Sequence, residues 1–246
     1  MTSPELQTRW SWKRIAGYSA IVAVLWVIAQ VGALLAVLLL RLILQRGFDV
    51  EQWAERADTD GVFVSAAIFS AAALCIPTLR FLVGRCEPRP WHFLGVRAVA
   101  GRDIALACAA MVVFVVVADA INVWLFERPL VPPFLRDTYA TSGEPAVLFL
   151  TIVLVAPFSE ELVMRGFLFG ALSSRGIATA WTIALTSALF TLLHTQYDVH
   201  DMVAVLLIAV ILGIARARLD SIVPTIAMHA TSNALAFFET MWMMRS

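Results

Sequence analysis

Apolar runs long enough to cross a membrane recur along the whole chain, and they constrain the fold more than any other feature. A helix needs about 20 apolar residues to cross the roughly 30 Å hydrocarbon core of a bilayer. We place such spans at about residues 17–41, 62–83, 103–126, 145–172, 177–196, 202–217 and 221–242, the sixth being the short one. The sequence therefore predicts an all-α, polytopic transmembrane helical bundle with about seven spans, within limits of six and eight. Because the chain has no long linker and no repeat, residues 1–246 are expected to form a single integral membrane domain.

The basic residues indicate how these spans are oriented. Connections on one side carry ten arginines and lysines against six on the other, which predicts a cytoplasmic N-terminus. The first apolar run follows Arg9, Lys13 and Arg14 and is too long for the core of a signal peptide. We therefore expect a retained anchor in the cytoplasmic membrane of a bacterium. The lipid bilayer is an expected partner and nucleic acid is not. The 18 basic and 18 acidic residues cancel, so the net charge indicates nothing about nucleic acid or acidic partners.

Three charged residues lie inside the fourth span, in the stretch "LVAPFSEELVMRGFLFGAL". An ionisable side chain at membrane depth costs a few kcal/mol, so it must be paired or must face a wet cavity. Glu161 and Arg165 are four residues apart on a helix and within pairing reach. Glu160 points about 100° away around the helix. It needs a different partner.

Two later spans offer candidate partners for Glu160. The sequence "FTLLH" presents Phe190 and His194 from one helix face, and "HATSN" presents His229 and Asn233 from another. A single buried histidine is more often a packing residue than a catalytic one. Three spans that each bring polar side chains to membrane depth instead predict a shared cavity, and these residue types can activate a water and hold an oxyanion.

The three motifs also carry a resemblance to a known family. "EELVMR", "FTLLH" and "HATSN" match, in order, the EExxxR, FxxxH and HxxxN motifs of the CAAX protease and bacteriocin-processing (CPBP) family. This family consists of intramembrane endopeptidases and includes the type II CAAX prenyl endopeptidases. The chain resembles it over about residues 100–242, which we take as the catalytic core.

The resemblance implies a role for each motif residue. Glu160 corresponds to the base that activates the hydrolytic water, and His194 to the residue that helps bind that water. His229 and Asn233 correspond to the oxyanion stabilisers. An asparagine suits that role because its amide donates hydrogen bonds and does not titrate. Supporting positions are assigned to the residues Glu161, Arg165 and Phe190.

A metal cofactor remains open at this stage. Glu160, His194 and His229 are candidate ligands for a divalent metal such as zinc, with a fourth position left open as in catalytic zinc sites. The HExxH pattern of zinc proteases is absent. A Glu160 bound to a metal would not be a free base. The motifs therefore allow both a glutamate-dependent and a metallo-type endopeptidase.

Three classes of function fit a chain of this kind. The first is an intramembrane endopeptidase that cleaves a membrane-associated or lipidated protein or peptide. The alternative is a non-enzymatic membrane scaffold or bacteriocin-immunity protein that keeps the same core. A proton or ion transporter is the third class, but the chain lacks the internal repeats of such proteins. Glu160 favours the enzyme, because an unpaired carboxylate at membrane depth brings a scaffold no benefit.

The remaining polar residues are assigned smaller roles. Asp119 and Asn122 in the third span either line the cavity or form hydrogen bonds between helices, and we favour the second role. His200 and Asp201 are expected to be solvated in a connection. Residues 127–144 contain three prolines and are either a lid or a plain connection.

Overall fold

The computed structural model describes residues 9–245, and this range contains helices and no strand. The first eight residues and the last one lie outside the described range. The ten helices are α1 (Trp12–Leu44), α2 (Val50–Ala54), α3 (Gly61–Gly84), α4 (Pro90–Phe93), α5 (Gly101–Trp124), α6 (Pro133–Ala140), α7 (Pro145–Ser174), α8 (Thr179–Leu192), α9 (Val199–Leu219) and α10 (Val223–Met243). The prediction of an all-helical polytopic bundle is confirmed.

Each of the seven predicted spans lies on a helix, but the helices differ in length and polarity. Five of them, α1, α3, α5, α7 and α9, are long and apolar enough to cross a membrane. Helix α8 has only 14 residues, which corresponds to about 21 Å. Helix α10 has 21 residues, among them the polar residues of the third motif. The short span is therefore the fifth; the sixth, expected to be short, is the 21-residue α9.

Helix α1 packs mainly against α3 and exposes the rest of its surface. Its buried residues follow one stripe, at intervals of seven or four residues: Ile15, Val22, Ala29, Ala33 and Val37. Small alanines let the two helix backbones approach closely, which is how helices associate in a bilayer. The other faces of α1 carry large exposed apolar side chains that suit contact with lipid.

Helix α7 contains two wide π-helical turns, and the glutamates lie between them. The π turns cover Thr151–Val155 and Leu162–Leu168, with an α-helical segment, Ala156–Glu161, in the middle. Pro157 contributes to the first wide turn, because it lacks the N–H that an α-helix needs at that position. Such turns are rare in proteins and are often found at functional sites.

Helix α6 and the loop before it are held against the beginning of α3. The Gly61 N–H donates to the Thr141 hydroxyl at 2.9 Å, and that hydroxyl donates to the Thr59 carbonyl at 2.7 Å. A side chain at Gly61 has no room, since its Cβ would lie 2.3 Å from the Thr138 carbonyl oxygen. The end of α6 is therefore tied to the beginning of α3.

Replacing Gly61 by alanine tests this close contact. We expect Gly61→Ala to lower the free energy of unfolding by about 1–3 kcal/mol, the usual range for overpacking. Gly32→Ala is the matched control, because a Cβ on that glycine of α1 meets nothing within 4 Å. The control should be neutral or stabilising, as alanine is the better helix former. Equal melting temperatures of the two variants in detergent would contradict the predicted contact.

Candidate active site

The structure brings together all four side chains that the motifs single out. Glu160 of α7, His194 just after α8, and His229 and Asn233 of α10 line one cavity of about 260 Å³. The roof of the cavity is formed by the segment before and within α6, including residues 129–135. The shared cavity was expected from the sequence; the catalytic roles of the four residues stay predictions.

Glu160 faces the cavity and lies beside His229. Its side chain is about one-third exposed, at 35%, and within the described residues no arginine or lysine pairs with it. The ring of His229 lies beside it, with Nε2 3.8 Å from Glu160 Oε2. This separation is longer than a direct hydrogen bond. The carboxylate is therefore held beside the imidazole and remains accessible from the cavity.

Glu161 and Arg165 form the internal pair expected from their spacing. Both side chains are 0% exposed, and the Arg165 Nη1 donates to Glu161 Oε1 at 2.9 Å. Arg165 also donates to the carbonyl of Ala209 in α9 at 2.7 Å. Its guanidinium lies 4.9 Å from the ring centre of Phe190 in α8. One buried arginine thus connects three helices around the site.

Glu161 has a second contact that its position in the motif did not reveal. Its Oε1 lies 3.2 Å from Nδ1 of His229. A carboxylate paired with Arg165 is an acceptor, so Nδ1 of the imidazole must carry the hydrogen. Nε2 of His229 then faces Glu160, and it donates a hydrogen bond only when the ring is doubly protonated. Glu161 therefore orients the ring of His229 and fixes Nδ1 as its donor atom.

Phe190 and His194 form the wall of the cavity opposite α10. The ring of Phe190 is buried and lies 4.3 Å from the ring of His194 and 5.7 Å from that of His229, measured between centroids. Nδ1 of His194 lies 2.7 Å from the Phe190 carbonyl oxygen. A carbonyl only accepts, so Nδ1 is the donor and Nε2 keeps a lone pair. His194 can thus accept a hydrogen bond from a water in the cavity.

Asn233 is held by the first π turn of α7. Its Nδ2 donates to the carbonyl of Ile152 at 2.7 Å, within the turn Thr151–Val155. An asparagine amide has two N–H groups. One is used for this contact, and the other remains for a ligand.

Several polar residues outside the predicted site also lie at or beside the cavity. Asp119 and Asn122 line the cavity, in addition to the contact of Asn122 Oδ1 with His200 Nε2 at 2.9 Å. The expectation that His200 and Asp201 are solvated in a connection is wrong, because both lie in the first turn of α9. His200 is half-buried, and Asp201 lines the cavity and pairs with Arg128 at 3.4 Å.

Two further polar residues line the cavity and were not predicted from the sequence. Glu239 of α10 also lines the cavity. Tyr197 follows α8, and burial together with the negative charges of Glu160 and Asp201 raises its pKa. Its hydroxyl therefore stays protonated and can donate a hydrogen bond. No pattern in the sequence pointed to Tyr197.

The proposed metal ligands do not form a metal site as they are placed. Within residues 9–245, no three side chains of His, Cys, Asp or Glu are close enough together to hold one ion. The set Glu160, His194 and His229 therefore does not fit the three-ligand arrangement of a catalytic zinc.

Comparison with known proteins agrees with the three motifs. Residues 142–235 match the family described as type II CAAX prenyl endopeptidase Rce1-like. An uncharacterized 24.3 kDa protein of Escherichia coli is 32% identical over 107 residues, which are 42% of this chain and 49% of that protein. The chain thus spans about half the length of this relative. No solved structure matches the chain. The segment 142–235, which contains all three motifs, is therefore similar to the Rce1-like type II CAAX prenyl endopeptidases.

Proposed function

We propose that the chain is an intramembrane endopeptidase that hydrolyses a peptide bond of a membrane-associated or lipidated substrate. The observation that carries this proposal is the carboxylate of Glu160, which pairs with no arginine or lysine in the described part of the chain and shares a cavity with two histidines and an asparagine. A carboxylate left free at membrane depth is costly, and its use as a general base accounts for its presence.

The contacts of the cavity support a division of labour in the first step. Glu160 takes a proton from a water, and the water oxygen attacks the carbonyl carbon of the scissile bond. Nε2 of His194 accepts the second hydrogen bond of that water and so fixes its direction, since Nδ1 is bound to the Phe190 carbonyl. The proton held on Glu160 is then delivered to the leaving amine when the C–N bond breaks.

The oxyanion of the tetrahedral intermediate needs donors that are already in place. Asn233 supplies its second N–H, and the contact with Ile152 holds its amide in a single orientation. His229 supplies Nε2–H when its ring carries both protons, and the buried Glu161 holds the ring in place through Nδ1. Two donors on one turn of α10 can thus bind the same oxygen.

Replacing Asn233 by alanine removes one oxyanion donor. We expect kcat to fall about 10²–10³-fold with little change in KM, because the contact strengthens only when the carbonyl becomes tetrahedral. The variant also loses the hydrogen bond to Ile152, which lowers stability by about 1 kcal/mol. Melting in detergent separates the two effects. A raised KM at unchanged kcat would remove Asn233 from the oxyanion site.

The proposed activity is tested in cells, because the comparison of strains also identifies the natural substrate. Membrane proteins and released peptides are compared between strains that produce the wild-type chain and the Glu160→Ala variant. We expect one or more uncleaved membrane-associated precursors to accumulate with the variant. Identical peptide profiles, at equal amounts of both proteins, would contradict the proposal and favour the scaffold or immunity alternative.

A further inference from the structure

The two ends of the helical bundle differ strongly in charge. The basic end consists of the beginnings of α1, α5, α8 and α10, the ends of α3, α7 and α9, and the connections between them. It carries eleven basic residues: Arg9, Lys13, Arg14, Arg80, Arg85, Arg89, Arg97, Arg102, Arg175, Arg216 and Arg218. The described residues of this end include three acidic ones: Glu87, Asp103 and Asp220.

Contacts between distant segments show that these helix ends lie together. Trp10 stacks on Phe93 with ring centroids 4.6 Å apart, which places the beginning of α1 beside α4. The Ile222 N–H donates to the Gly95 carbonyl at 2.8 Å and joins the α9–α10 turn to the same connection. Arg216 donates to the carbonyl of Arg165 at 2.9 Å and is buried. The basic end is therefore one continuous region of the fold.

The opposite end, here called the cavity end, is mainly acidic. It carries six basic residues: Arg41, Arg46, Arg56, Arg128, Arg136 and Arg245. It carries ten acidic ones: Asp49, Glu51, Glu55, Asp58, Asp60, Glu127, Asp137, Glu144, Asp198 and Asp201. Arg128 pairs with Asp198 and Asp201, and Arg41 with Asp60. These pairs connect α5 to α9 and α1 to α3 at this end.

The cavity of Glu160 opens at the cavity end. Its outer lining comes from residues 129–135 and from Gln196, Tyr197 and Asp201, all of which lie at the cavity end. Among residues 9–245, no arginine or lysine lines it. A separate, larger cavity of about 530 Å³ lies at the basic end, with Arg89 and Arg97 in its wall. The two cavities are thus at opposite ends of the bundle.

Short connections rich in arginine and lysine stay on the cytoplasmic side of a membrane. Eleven basic residues against six therefore place the basic end in the cytoplasm. We infer that the Glu160 cavity opens on the extracytoplasmic side, so that the scissile bond is presented from that side. The substrate class would be an exported, membrane-anchored peptide or the external segment of a membrane protein. The cytoplasmic C-terminus of a substrate protein would not reach the cavity. The statement that the cavity binds a substrate rests on the proposed function. The orientation of the cavity does not.

Cysteine accessibility tests the orientation without requiring proteolysis. Cys75, Cys86 and Cys108 are replaced by alanine, and single cysteines are then introduced at exposed alanines, which leaves the charge balance unchanged. Ala54→Cys and Ala140→Cys report on the cavity end. Their matched controls, Ala98→Cys and Ala178→Cys, report on the basic end.

Intact cells are treated with a membrane-impermeant maleimide, and a lysed sample gives the maximum labelling. We expect Ala54→Cys and Ala140→Cys to be labelled in intact cells, and the two controls only after lysis. The inverse pattern, or equal labelling of all four positions in intact cells, would overturn the inference. If the cysteine-free chain fails to accumulate, the same substitutions are made in the wild-type chain. The label on each variant is then compared with the label on the wild-type chain, and the excess is attributed to the new cysteine.

A cysteine inside the cavity connects the orientation to the site itself. Gln196 is exposed and lines the cavity, so Gln196→Cys should be labelled from outside in intact cells. Absence of that label, with Ala140→Cys labelled, would show that the cavity does not open at this end. The expected labelling together with an unchanged peptide profile for Glu160→Ala would leave the orientation standing and reject the endopeptidase. Inverse labelling together with a changed peptide profile for Glu160→Ala would reject the orientation and leave the endopeptidase standing.

Discussion

The Glu160→Gln variant is expected to lose turnover by about 10²–10⁴-fold, the range for removal of a general base. Glutamine keeps the size of the side chain but cannot take a proton from the water. No arginine or lysine in the described part of the chain depends on this carboxylate, so its neutralisation leaves no buried cation behind. The melting temperature in detergent should therefore stay the same or rise. Retained activity in Glu160→Gln would remove the residue from its proposed role.

Two controls sharpen this result. Glu239→Gln removes another carboxylate from the lining of the same cavity and should lose much less activity. A chelator tests whether Glu160 acts as a ligand. The donor set does not fit three-ligand zinc binding, so the purified protein is expected to turn over unchanged after metal removal. A protein that binds one zinc and loses all activity without it would make Glu160 a ligand and contradict its role as a free base.

The Glu161→Gln variant should behave in the opposite way. Arg165 would remain fully buried without its charged partner, and breaking a buried pair typically lowers the free energy of unfolding by about 3–5 kcal/mol. Activity should fall as well, because Glu161 is also the acceptor that orients His229. Thermal or denaturant unfolding in detergent measures the first effect, and turnover of the folded fraction measures the second.

A double replacement separates the cost of an orphaned charge from the value of the pair. Glu161→Leu alone leaves Arg165 unpaired, whereas Glu161→Leu with Arg165→Met removes both charges. Replacement of a whole buried pair by apolar residues is often neutral. The double variant should therefore be more stable than the single one, although it too loses the acceptor for His229. Equal melting losses for Glu160→Gln and Glu161→Gln would reverse the assignment of the two glutamates.

The two neighbouring glutamates show which contacts the sequence predicts and which it does not. The 100° step around a helix separates their directions, and the four-residue spacing predicts the pair between Glu161 and Arg165 at 2.9 Å. Both inferences concern a single helix, in which geometry follows from the order of the residues. The contact of Glu161 with His229 joins residues 68 positions apart, and no local spacing predicts it.

The same distinction applies to the rest of the fold. The sequence by itself determined the helical class, the seven helical segments and the motif residues, because apolar length and helical spacing are local properties. Only the tertiary structure decided that residues 127–144 roof the cavity, that Asn233 is bound to a π turn, and that His200 is partly buried against Asn122. The physical reason is that lipid and protein interior are both apolar. Hydrophobicity therefore marks a helix as membrane-embedded without indicating which of its faces meets another helix.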